Sequence, residues 1–150
     1  MLEMMVLDQE QVQALQGSLR GQLLRPGDAV YPEACQIYNG MIDRHPALIA
    51  RCVDVADVIA AVNFSRNMQL PLAIRGGGHN GAGLGLVDDG LVIDLSLMKG
   101  IHVDTQAGTV HVEGGCVWGD VDHATHPFGV AVPSGFISTT GVGGLTLGGG

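Results

Sequence analysis

Basic residues are scarce in this chain of 150 residues: Lys and Arg together number 7 against 15 Asp and Glu, for a net charge of −8. A nucleic-acid partner needs a basic stripe to displace counterions from phosphates, and none exists here. DNA and RNA binding are poor readings of such a chain. Long apolar runs are missing too. No stretch of about 18 apolar residues is available to span a bilayer, and residues 1–10 are mixed and acidic rather than leader-like. These absences predict a cytoplasmic protein that meets neither nucleic acid nor membrane. Cysteine is sparse and odd in number: Cys35, Cys52 and Cys116 share no metal-like spacing and read as reduced, mostly buried thiols. His123 and His126, three apart on a predicted helix, and His102 and His111, flanking a predicted turn, lack the further ligands of a zinc site. They read as surface residues, and no metal site is assigned.

Glycine, by contrast, is abundant, at 24 of 150 residues, against an average usage of about 7%. The glycines punctuate apolar segments in clusters at 76–85, 114–119 and 141–150, which points to tight turns and cofactor loops rather than a linker. The apolar content of 46% is enough for a real core. Residues 3–24 read as a short amphipathic helix and polar turn, with Val6, Leu7, Val12 and Leu15 as the buried face. This makes residues 1–25 a helix and linker ahead of a domain over 26–150. A strand over 48–53 leads to a helix capped by Asp54 and reaching about Asn67, with Val55, Val58, Ile59, Val62 and Met68 on one face. Strands follow at 70–74 and 91–95, and the order strand, helix, strand over 48–74 is that of a parallel crossover. A hairpin at 101–113, a helix over 118–125 and a short strand at 130–132 complete the pattern. The fold class is α+β, parallel early and antiparallel late. Because the chain stops inside the glycine-dense stretch Thr146–Gly150, we expect an N-terminal piece of a longer protein.

The chemistry concentrates in Arg75-Gly76-Gly77-Gly78-His79-Asn80, directly after the 70–74 strand. Consecutive glycines expose backbone N–H groups and let the chain close around a phosphate. His79 adds a neutral nitrogen nucleophile beside that cradle. The motif is neither the G-x-G-x-x-G fingerprint nor a Walker loop, and taken alone it is equally an ordinary glycine turn with a partly exposed histidine. Gly135–Gly150 has the same character, with Val142, Leu145 and Leu147 as apolar anchors that a disordered linker would lack. Two such loops can line opposite sides of one extended ligand. Trp118, opening a helix after Gly114 and Gly115, reads as a packing anchor.

LAIRGGGHN, GLVIDLSLMKGIHVD, VEGGCVWGDVD and STTGVGGLTLGGG, in this order, together with YNGMIDRHPALI upstream, resemble the berberine bridge enzyme-like flavin oxidases. These belong to the vanillyl-alcohol oxidase, or PCMH-type, FAD-binding superfamily. The resemblance covers residues 19–150. It implies a partial PCMH-type domain: a mixed parallel subdomain, the start of an antiparallel one, and a substrate domain that lies elsewhere. It also implies FAD held by Arg75, Gly76, Gly77, Gly78, His79, Asn80 and Gly81 on one side and by Gly135, Thr140, Gly141 and Gly144 on the other. The histidine matching His79 carries an 8α-histidyl bond to the cofactor. Some members add a bond from a cysteine in a CPTVGVGG-like stretch, but Ile137 stands at that place here, so attachment through His79 alone is expected. The activity implied is oxidation of an alcohol, sugar or amine by hydride transfer to FAD, with a small-molecule substrate and oxygen as partners. The family's base comes from the substrate domain, so no catalytic residue is named. An inactive flavin-binding fragment and a non-redox nucleotide-binding module remain the alternatives.

Overall fold

The computed structural model describes residues 7–148. Asp8 starts the first helix, α1 (Gln9–Ser18), by accepting the Glu10 N–H on its carboxylate. Val12 and Leu15 are buried with Leu7 beside them, as the periodicity predicts, whereas Val6 lies outside the described residues. The polar turn anticipated next is in part a strand, β1 (Gln22–Leu24), whose Leu23 and Leu24 are buried. It pairs antiparallel with β2 (Leu48–Arg51), Gln22 facing Arg51. Residues 9–24, read from sequence as a helix and linker, thus contribute to the same sheet and core. A short helix, α2 (Tyr31–Ala34), intervenes, and the Tyr31 hydroxyl donates to the Pro46 carbonyl at 2.6 Å.

β2, helix α3 (Val55–Met68) and β3 (Leu72–Arg75) make the expected crossover, but the two strands are not neighbours. β4 (Leu91–Asp94) lies between them, parallel to both, giving the order β1-β2-β4-β3. All four β4 residues are buried, as a central parallel strand requires. The period-2 alternation then sorts the core. Leu48, Ala50, Leu91 and Ile93 pack with α1 and α3, whereas Ile49, Val92 and Ala73 pack with Tyr31 and Leu86 on the other face. Cys52 sits in the first of these clusters, and burial, aided by Asp57 and Asp94, pushes its thiol up to about 12.

The buried face of α3 is the expected one only at Val58 and Met68, which pack against the core. Asp54 is the N-cap, but Val55, Ile59 and Val62 are exposed, while Asp57, Ala61, Phe64 and Ser65 face inward. The two polar residues are buried because each is satisfied. Asp57 accepts the backbone N–H groups of Arg20, Gly21 and Val53 at 2.8–3.0 Å, and Ser65 donates to the Leu70 carbonyl.

The hairpin forms where predicted, as β5 (Ile101–Asp104) and β6 (Thr109–Val112), a separate antiparallel sheet. His102 and His111 face each other across it and are exposed. Helix α4 (Trp118–Thr125) follows and is closed by a 3₁₀ turn over His126–Phe128. The strand expected at 130–132 does not form. These residues lie between Gly129, in the left-handed region, and Pro133, which cannot donate to a ladder. The last described element, α5 (Val142–Gly148), is a short helix inside the glycine tract. Among the described residues no helix is long and apolar enough to cross a membrane.

Candidate cofactor site

Arg51, Asp94 and Arg75 are the last residues of β2, β4 and β3, and register places them side by side. The carboxyl ends of parallel strands are where such sheets open a ligand crevice. Asp94 Oδ2 lies 2.9 Å from Arg75 Nη2 and 3.5 Å from Arg51 Nε, and Oδ1 accepts the Ser96 N–H at 3.0 Å. Arg75 also donates to the carbonyls of Ala34 and Gln36. Two guanidinium groups therefore share one carboxylate, and Glu33 also lines this crevice, so its wall carries two charges of each sign. Arg51 Nε is buried without a hydrogen-bond partner, an opening for an anionic ligand.

The glycine loop leaves β3 directly above this row. Gly78 takes a positive φ of 69°. Gly77 meets the second loop backbone to backbone. A Cβ on Gly77 would stand 2.5 Å from Gly141 N, and one on Gly141 would stand 2.4 Å from Gly77 N. No other residue permits that approach. The second loop is in turn laced to the third glycine cluster. Trp118 N–H donates to the Thr140 carbonyl, Gly119 N–H to Ser138 and Val142 N–H to Cys116, at 2.8–3.0 Å. Three sequence-distant clusters thus converge on one place.

His79 stands at the junction. Its Nε2 is 3.1 Å from Thr139 Oγ1 on the second loop. Its ring stacks on Tyr38, with centroids 4.3 Å apart and planes 17° from parallel. Tyr38 N–H donates to the Gly78 carbonyl, which ties the aromatic platform to the loop. Asn80 shapes the loop from within, its Oδ1 accepting from Ala82 and Leu84 N–H, and the Gly81 carbonyl accepts from Asn39 Nδ2.

Two cavities, of about 590 and 390 Å³, share the Arg75–His79 segment as a common wall. The larger lies over Arg51, Asp94 and Ser96 and reaches Tyr38 and Thr139. The smaller is lined by Asn80, Thr140, Gly141 and Gly144. Of the residues predicted to hold a cofactor, Arg75, Gly76, Gly77, Gly78, His79, Asn80, Thr140, Gly141 and Gly144 are brought together. Gly81 and Gly135 line neither cavity, and Gly135 packs against Leu145. The Arg75 guanidinium is turned into the wall, where it braces Asp94. Tyr38, Arg51, Asp94 and Ser96 escaped the sequence reading, and Thr139 entered it only as part of the second glycine loop. Only Asp94 left a signal, as a carboxylate closing an apolar run. Cys116 is wholly buried and its thiol is pushed up by that burial.

An α+β domain with glycine loops meeting at a strand-end crevice is a cradle for an extended, phosphate-bearing cofactor. Residues 46–150 match the FAD binding domain family, and the chain belongs to it. An FAD-linked oxidoreductase of Dictyostelium discoideum is 42% identical over 89% of the chain. (R)-6-hydroxynicotine oxidase of Paenarthrobacter nicotinovorans is 35% identical over the same share. The chain spans 29% of the length of each. Among solved structures, 6-hydroxy-D-nicotine oxidase from Arthrobacter nicotinovorans superposes with a TM-score of 0.83 at 34% identity, covering 85% of this chain and 28% of its own. The Physcomitrella patens berberine bridge enzyme-like protein 1 gives 0.84 at 28% identity, covering 91% and 30%. The fold is the PCMH-type FAD-binding one that the motifs imply. The residues fit that cofactor: two bare glycine backbones that meet at the crevice, and a buried Arg51 Nε without a hydrogen-bond partner beside it.

Proposed function

We propose that the whole protein is an FAD-dependent oxidase of alcohols, sugars or amines, with this chain supplying the cofactor cradle. The observation that carries the reading is the position of His79. It stands in the wall common to both cavities, where the two glycine loops touch. The relatives support it, being named as FAD-linked oxidoreductases and nicotine oxidases. When bound, the cofactor accepts two electrons with a hydride and passes them to dioxygen.

The chain's own residues divide the work. Backbone N–H groups of Gly76–Gly78 and Gly141 would hold the diphosphate, with the Arg51 guanidinium at the same crevice. Tyr38 and Thr139 fix the His79 ring. His79 is the point of covalent attachment to the 8α carbon of the cofactor. Attachment is single, since Ile137 replaces the second nucleophile and Cys116 is buried as a protonated thiol. Substrate oxidation itself uses a base from outside this chain.

Acid denaturation of the full-length protein tests the attachment. Flavin fluorescence should stay on the denatured band, and His79→Ala should release it. Flavin recovered wholly in the supernatant from the unsubstituted protein would refute covalency. A plain nucleotide cradle would scarcely respond to H79A.

A further inference from the structure

The His79 ring is held in two ways. Stacking on Tyr38 sets its plane, and the contact of Nε2 with Thr139 Oγ1 at 3.1 Å sets which edge meets the second loop. Among the described residues Nδ1 has no hydrogen-bond partner. We propose that Thr139 is the positioning residue for His79. Its hydroxyl accepts the Nε2 proton and so holds the neutral imidazole in the tautomer whose Nδ1 lone pair is open. The proposal rests on the reading of His79 as the attachment point.

In a neutral imidazole one nitrogen donates and the other accepts, so the bond made by one decides the state of its partner. The reverse polarity, with Thr139 donating to Nε2, would engage the Nε2 lone pair and place the proton on Nδ1. Neither nitrogen would then be free to form a bond. Attachment makes one N–C bond from the Nδ1 lone pair to the 8α carbon. One proton from that carbon and the Nε2 proton leave with two electrons, which dioxygen takes up as hydrogen peroxide. Nε2 ends as an acceptor, and the Thr139 hydroxyl can rotate to donate to it, because a threonine oxygen serves in both senses. The same side chain therefore suits the ring before and after the bond forms. Valine keeps its shape and loses both roles, whereas serine keeps both.

The test uses the full-length polypeptide, prepared without flavin and then mixed with FAD, with the adduct followed by the mass of the denatured protein. Thr139→Val should slow attachment about tenfold, and Thr139→Ser should stay within about twofold of the unsubstituted rate, as expected for one net hydrogen bond. In parallel, ¹⁵N shifts of the His79 ring in the flavin-free protein should report the Nε2–H tautomer, giving way to a mixture in T139V. An unchanged rate in T139V, or an Nδ1–H ring in the unsubstituted protein, overturns the proposal. If no adduct forms even without substitution, the attachment reading fails instead, and the nitrogen shifts alone decide whether Thr139 sets the tautomer.

Discussion

Asp94 is the residue on which the crevice depends most. It is 1% exposed and is the counter-charge for Arg75, itself 8% exposed, and for Arg51. Removing one partner of a buried ion pair is costly because the other charge is left in low dielectric without compensation. Asp94→Ala should therefore lower stability by about 3–5 kcal/mol, read from urea unfolding curves. The double variant Asp94→Ala with Arg75→Met should recover part of that loss, since it removes the stranded charge as well. Additive losses in the double variant would show that the pair is not coupled. None of this was visible in the one-dimensional text, where Arg75 reads as part of a phosphate loop. The guanidinium points instead to Asp94, 19 residues on, and to carbonyls 39 and 41 residues back. The glycines and His79 were legible because their chemistry is local: bare backbone and one imidazole after a strand. Tyr38 and Thr139 were not, since their role consists of meeting His79 across long separations.

At the level of elements, Asp57 joins the start of α3 to the chain entering β1. Its carboxylate takes three backbone N–H groups, at Arg20, Gly21 and Val53. Asp57→Ala strands those donors and should cost about 3 kcal/mol, with faster amide exchange at Gly21 and Val53. Exchange unchanged at those two amides would refute the role. The same contact explains why α3 packs Val58 and Met68 inward as the pattern predicts but exposes Val55, Ile59 and Val62. Period counting assigned Val55, Ile59 and Val62 inward on hydrophobicity, but the helix is rotated so that Asp57 and Ser65 reach partners distant in sequence or beyond its own C-terminus. β4, the hairpin and α4 were legible because their signals are self-contained. They are an apolar run, a turn with Gly108 at positive φ, and a helix bounded by glycine and proline. β1 is three residues long and exists through its pairing with β2, so no local pattern announced it.

Across the whole molecule, acid should be the condition that loosens it. The Asp57 N–H, with Arg20 beside it, holds Asp54 below its ordinary 3.8. The Lys99 ammonium, with the Val117 N–H, does the same for Asp120. A carboxyl with a lowered folded value binds its proton more readily in the unfolded chain. Its stabilisation is thus complete above the unfolded value near 3.8 and fades as pH falls through the lower folded one. Thermal midpoints should fall as pH drops below about 4, and Asp54→Asn with Asp120→Asn should flatten that fall. Both groups are partly solvated, so the effect is small. An identical acid slope in the double variant would assign the loss to other groups. The sheet order carries a different lesson, about birth rather than endurance. β4 fills the slot between β2 and β3 but is translated after both. A ribosome that has released residues 48–75 has released two strands with nothing to zip them together. Non-local pairing of this kind delays closure until its last member arrives. The nascent chain then gains its sheet and the charged row Arg51–Asp94–Arg75 in one event, so a pocket competent for flavin does not precede the threading of that final strand.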